Sequence, residues 1–379
     1  MRLGYKGKIV RSQANRKSAG RIASRKSRPE AQSVIWLSMA VNAGWYAAEL
    51  RRELGARNRV WAQGRAHVES YGSQPVIVYE PSDVRHGNFF DASYAAIAGR
   101  AEWMRRFDKI HAQGRALPKA ESGRRWRELD SSMSSDALLM NVFCAPGVAE
   151  ASAVRRNLGI EGNELPVFGW KARVPLAPDP GGRVRFDRTE VDMRWGGLLV
   201  EAKLTEVDFQ TRAARVVEAY RDFDALFERD LLPRVELRAA RRRTAVEFAE
   251  EFTQEWEEAA PDDLAAREFQ EGIVARAREA EPAEPGYAGY QLIRNVLAAY
   301  AEGCSFCVVH DERRPDLREA WFQVMAAVRS AEMRVRCKVL TWQELAALLT
   351  EELQEFLDLK YGIVGAGRVA SFGEELGAE

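Results

Sequence analysis

The stretch RTEVDMRWGGLLVEAKLTE, residues 188–206, constrains this chain more than any other. Its two halves alternate apolar and polar residues with the period of a strand, and Gly196-Gly197 supplies the residues that a tight hairpin turn with positive φ requires. A two-residue turn sets the register. Trp195 then faces Leu198, Met193 faces Val200 and Val191 faces Ala202 on an apolar side. On the other side Asp192 lies opposite Glu201, and Glu190 opposite Lys203, with Cβ atoms about 4.5–5.5 Å apart.

Two carboxylates side by side repel each other, and a divalent cation removes the conflict. Two carboxylates, waters and substrate phosphate oxygens are how Mg²⁺ is commonly held in phosphoryl-transfer sites, and Mn²⁺ can substitute. Lys203 on the same face could orient or deprotonate the attacking water and offset charge on phosphorus. Glu190 is either a further ligand, directly or through water, or the salt-bridge partner of Lys203. The plainer alternative is a solvated sheet face, since Glu-Ala-Lys on a strand is a common tripeptide. Against it stand the acid at the matching register, the apolar opposite face and the helices expected on both sides.

The 379 residues carry 56 basic and 56 acidic side chains, unevenly placed. Residues 1–135 hold 25 Lys/Arg and 12 Asp/Glu, leaving 31 and 44 for residues 136–379. A basic first third suits phosphate backbones. No run approaches the roughly 18 apolar residues of a membrane span. The cysteines, four in number, are too few for a disulfide framework, which fits a reducing cytoplasm.

Residues 1–38 read as a basic, flexible arm. They precede an apolar run, as in a signal peptide, but Ser38, Asn42 and Trp45 interrupt that run. From 39 to 133 a mixed basic region is expected, with a helix over 39–54, a strand over 75–80 and helices over 90–113. Trp103 and Phe107 should be buried there and the surrounding charges solvated; the cluster Arg124, Arg125 and Arg127 is the candidate nucleic-acid contact. A second unit, 134–360, opens with a capped helix in SSDALLMNVF and continues with strands over 165–176, 183–195 and 198–206. Apolar spacing predicts a helix over 210–231. Residues 247–284, with 13 acids and three arginines, read as an acidic helical insertion or linker. Helix (287–302), strand (304–310), helix (316–330), strand (336–341) and helix (342–358) follow, and 361–379 is a tail. Strands first adjacent and then alternating with helices predict an α/β fold with a mixed sheet.

Asp192, Glu201 and Lys203 resemble the Asp...Glu-x-Lys signature of the PD-(D/E)XK nuclease superfamily, the restriction-endonuclease-like fold. SSDALLMNVF, VEAKLTE, YQLIRN and the VVHDERRPDL stretch resemble bacterial restriction-endonuclease-like proteins more narrowly. The resemblance covers roughly residues 134–345. It implies an αβββαβ core and Mg²⁺-dependent phosphodiester hydrolysis, with Asp192 and Glu201 as ligands, the Ala202 carbonyl as a third, and Lys203 beside the water. Val191 stands where the family's proline would be. Asp136 or Asn141 could add a polar group from the preceding helix, although Asp136 could equally cap that helix; Gln291 and Arg294 could hold the site or the nucleic acid.

Cys304-x-x-Cys307 near His310 and Cys337 lacks a second pair and reads as buried cysteine rather than zinc. The expectation is a cytoplasmic DNA endonuclease. RNA or branched DNA would use the same chemistry, and a homodimer is one way to cut both strands. The alternative is a nuclease fold kept as a catalytically inactive DNA-binding or scaffolding protein.

Overall fold

The computed structural model describes residues 30–72, 74–82, 84–111, 117–120, 123–237 and 283–365. Met1–Ala40 forms one unit and Val41–Glu379 another. The long helix α1 (Glu30–Trp61) begins inside the stretch expected to be a flexible arm. Residues 1–29, and the acidic segment except for its last two residues, lie outside the described residues.

The larger unit is built on a mixed five-stranded sheet. Its strands are β1 (Val167–Lys171), β2 (Glu190–Trp195), β3 (Leu198–Ala202), β4 (Ser305–His310) and β5 (Cys337–Thr341), in the order β5-β4-β3-β2-β1. β1, β2 and β3 run antiparallel, and β3, β4 and β5 parallel. Helix α2 (Ser135–Phe143) precedes β1, and α3 (Tyr290–Ala301) joins β3 to β4, which gives the αβββαβ sequence of a restriction-endonuclease-like core. α4 (Pro315–Ala326) links β4 to β5, and α5 (Glu351–Tyr361) is the last helix among the described residues.

Local chemistry explains these elements. Ser134 caps α2, its Oγ accepting the Ala137 N–H at 3.1 Å. Gly196 takes φ +54° in the β2–β3 turn. Gly289, at φ +72°, starts α3 where a Cβ would lie 3.0 Å from Val324, a close approach that suits glycine alone. Met193, Trp195, Leu198, Val200 and Ala202 form one core with α1, α2 and α5. Leu199, Phe306 and Val308 form the other with α3 and α4. Both faces of β3 are covered, so it is not a solvated strand.

The observed ladder pairs Trp195 with Leu198, Arg194 with Leu199 and Met193 with Val200, the register read from the glycine turn. It ends there. Val191 is buried but packs in the second core with Leu199, not beside Met193.

The helix expected over 210–231 is two single turns, Ala214–Val217 and Phe223–Leu226. Its backbone groups find partners elsewhere: Thr211–Ala213 pairs with Gly286–Ala288, Ala219 O accepts from Ala177 N, and Arg329 N donates to Leu226 O. Val217, Tyr220, Phe223 and Phe227 are nevertheless buried, whereas Val216 is exposed. The 90–113 region breaks into Asp91–Ala98, Ala101–Met104 and a 3₁₀ turn at Arg105–Asp108. The last expected helix divides into Trp342–Ala346 and α5. Ile363, placed in the tail, is buried. Cys304 and Cys307 are buried at β4, and burial pushes the Cys307 thiol up to about 12.

Lys360 of α5 is wholly buried. Its Nζ donates to Asn58 Oδ1 at 2.7 Å and lies 4.4 Å from the Tyr361 ring centroid. Burial first, and then the charge of Arg65, push its pKa well below the usual lysine value. The unfolded chain therefore takes up a proton that the folded one resists, so this group makes stability rise with pH up to the unfolded lysine pKa. Lys360→Met keeps the apolar stem, and Asn58 Oδ1 still accepts from Tyr79 at 3.0 Å. The variant is expected to have a higher urea midpoint than the parent at pH 7, with the gain shrinking toward pH 10; a gain that does not change with pH contradicts this linkage.

Candidate active site

Beyond the Met193–Val200 pair, the Asp192 carboxylate enters the space between β2 and β3, where Oδ2 accepts the Ala202 N–H at 2.8 Å. Glu201, on the next strand, is 2% exposed and Lys203 4%. Glu201 Oε1 accepts from Lys203 Nζ and from Gln291 Nε2, each at 2.9 Å, and Oε2 accepts from Asn295 Nδ2 at 2.8 Å. Gln291 and Asn295 stand one turn apart on α3, so one helix face holds both carboxylate oxygens.

Burial, followed by the negative charges of Glu201 and Asp136, raises the Asp192 pKa well above the carboxylate range. Burial by itself would lower the Lys203 pKa, but Glu201, Glu206 and Asp192 outweigh it and hold the amine protonated. In this state Lys203 is a cation and a hydrogen-bond donor, not a base.

Asp136 does not cap α2. Arg106 Nη2 donates to both its oxygens at 2.8 Å, and Lys109 Nζ donates to Oδ2 at 2.9 Å. Burial would raise its pKa; Arg106 and Lys109 reverse that and hold it below the usual value. Arg106 also bonds Glu190. Glu190 is therefore the partner of Arg106, not of Lys203, whose ion pair is with Glu201. Asn141 is turned elsewhere, accepting from Phe90 N at 2.7 Å.

The expected nucleic-acid contacts are mostly engaged within the protein. Arg294 is 1% exposed and bonds Asp187, Asn295 and the Thr189 carbonyl, because its helix face turns into the core. It is a structural residue and cannot reach a polynucleotide. Arg124 pairs with Asp130 at 2.9 Å, Arg127 lies 3.8 Å from Asp108, and Arg125 is exposed.

Arg106, Lys109 and Asn295 were missed in the sequence. Asn295 was legible as the fourth residue after Gln291. Arg106 and Lys109 were seen only as solvated charges beside Trp103 and Phe107, both of which are buried as expected.

Among the described residues, no three His, Cys, Asp or Glu side chains form a metal-binding group. A cation here would have Asp192 and Glu201 and would complete its shell with backbone oxygen, water and substrate, which is a usual coordination for Mg²⁺. The chemistry fits: Asp192 Oδ2 and Glu201 Oε2 each accept one hydrogen bond, and a cation would offset the burial and the neighbouring charges that disfavour the ionised Asp192.

A family model described as Restriction Endonuclease associating with ARP matches residues 56–362. No curated protein and no solved structure matches the chain. No helix among the described residues is long and apolar enough to cross a membrane.

Proposed function

This chain belongs to the family described as Restriction Endonuclease associating with ARP, and from that premise we propose that it is a PD-(D/E)XK-type, Mg²⁺-dependent nuclease whose substrate is DNA. The observation that carries the reading is the buried group formed by Asp192, Glu201 and Lys203, with Gln291 and Asn295 fastening Glu201. Asp192, Glu201 and the Ala202 carbonyl would hold the cation. Bound there, it would polarise the phosphate and lower the pKa of water.

The protein's own groups have separate tasks. Gln291 and Asn295 fix the orientation of Glu201, so its charge needs no rearrangement during reaction. The Lys203 ammonium donates to the water or to a phosphate oxygen as charge develops there. In the hydrolysis the water oxygen bonds to phosphorus and gives up a proton to solvent, one ester P–O bond breaks, and the departing oxygen takes a proton from solvent. Asp136, neutralised by Arg106 and Lys109, shapes the field around Asp192 rather than holding the cation.

The second reading, an inactive nuclease fold that binds DNA, is favoured by the 4% exposure of Lys203 and its closed pair with Glu201. Incubation with supercoiled plasmid and with a single-stranded oligonucleotide, in Mg²⁺, Mn²⁺ or EDTA, separates the two. Cleavage that needs the divalent ion and disappears in a folded Lys203→Ala variant is the expected result. Equal backgrounds from parent and variant would leave only the binding reading.

A further inference from the structure

A cleft of about 780 Å³ lies between α1 and the segments 70–72, 74–76 and 128–135. Thr205 and Glu206 line it, two and three residues beyond Lys203, and so does Ser135, next to Asp136. It thus reaches the two chain segments that carry Asp136 and Lys203, although neither residue lines it. Along its other wall Arg51, Gly55 and Arg59 recur at four-residue spacing on one ridge of α1, spanning about 12 Å of helix axis.

Both arginines are exposed and, among the described residues, have no acidic partner, unlike Arg52, which pairs with Glu49 at 2.7 Å. Glu206 is engaged, accepting from Ser135 Oγ at 2.6 Å and Leu204 N at 2.8 Å, and Glu128 is the other acid in the wall. Gly55 sits inside a helix, where glycine costs about 0.5–1 kcal/mol relative to alanine. A Cβ there would meet nothing within 4 Å, so packing does not require the glycine. Its effect is to keep the wall low between two guanidinium groups. On the opposite side Tyr71 is 70% exposed.

We propose that this cleft is the track for one unpaired strand of nucleic acid leading to the acidic centre, with Arg51 and Arg59 on two phosphates of that strand and Tyr71 under a base. The inference rests on the nuclease reading for what lies at the end of the track. Guanidinium groups supply charge and fork geometry for phosphate, and an exposed ring stacks on any base. The volume is that of a small-molecule pocket, enough for a few nucleotides but not for a duplex.

The test is fluorescence anisotropy of a labelled single-stranded oligonucleotide in EDTA, over a salt series, with the full chain. Arg51→Ala/Arg59→Ala is expected to weaken binding by about tenfold or more and to reduce the log–log salt slope by about 1.4, the value for two lost phosphate contacts on a single strand. Gly55→Leu should weaken binding without lowering the urea midpoint. Unchanged binding in both cleft variants overturns the inference, as does a parent that binds no oligonucleotide or a duplex that competes equally. Binding that depends on Arg51 and Arg59 without any cleavage supports the track and removes the nuclease. Cleavage and binding indifferent to both arginines does the reverse.

Discussion

Glu201→Gln is expected to abolish divalent-dependent cleavage and to destabilise the fold at the same time. The carboxylate faces three donors, from Lys203, Gln291 and Asn295. An amide offers one acceptor and one donor group, so at least one of these neighbours must turn or go unpaired. Lys203 would be left as a buried cation without its counter-charge, a loss worth about 3–5 kcal/mol in other buried pairs. Cleavage should fall on the order of a thousandfold, corresponding to the several kcal/mol that a bound cation contributes to charge stabilisation. The double variant Glu201→Gln/Lys203→Met separates the two effects. It should recover much of the urea midpoint, because no uncompensated charge remains buried, but none of the cleavage. Recovery of cleavage in the double variant, or an unaffected rate in Glu201→Gln, would remove Glu201 from the chemistry.

Arg106→Met is expected to cost about 3 kcal/mol or more at neutral pH, since it leaves Asp136 with only Lys109 and deprives Glu190 of its partner. The loss should depend on pH with a definite sign. In the parent, Asp136 has a lowered pKa, so its stabilising contribution is fully present above its unfolded pKa and disappears as pH falls through the lower folded value. Without Arg106, burial and the neighbouring Asp192 push that carboxyl upward instead. The variant then binds a proton more readily than its unfolded chain does, and its deficit should be greatest at pH 8 and smaller at pH 5. Urea midpoints of parent and variant at the two pH values measure this. A deficit independent of pH would mean that Arg106 stabilises by packing alone. Arg106→Lys should restore only part of the loss, because an ammonium cannot make the paired 2.8 Å contacts to both Asp136 oxygens while reaching Glu190.

What could be read in the sequence was what local geometry controls. Strand periodicity and Gly196-Gly197 defined a hairpin whose three observed pairs are those expected, and the Ser134 cap located α2. Apolar spacing over 210–231 identified residues that are buried but misjudged the backbone that buries them. A continuous helix there lost to hydrogen bonds with Ala177 and Arg329, partners that no local window contains. Arg294 failed for a related reason: helical spacing reports a face, not whether that face meets solvent or an inner carboxylate such as Asp187.

The sequence by itself determined the hairpin and the register of its first three pairs, and it singled out the candidate trio Asp192, Glu201 and Lys203, because period-two alternation and a glycine turn act over a few residues. Only the tertiary structure decided which charges neutralise which. Arg106 reaches Asp136 across 30 residues and Glu190 across 84, and Asn295 reaches Glu201 across 94. Such pairings follow from how sheet and helices pack, and the strength of each depends on the water that packing removes, which pairing along the chain cannot express.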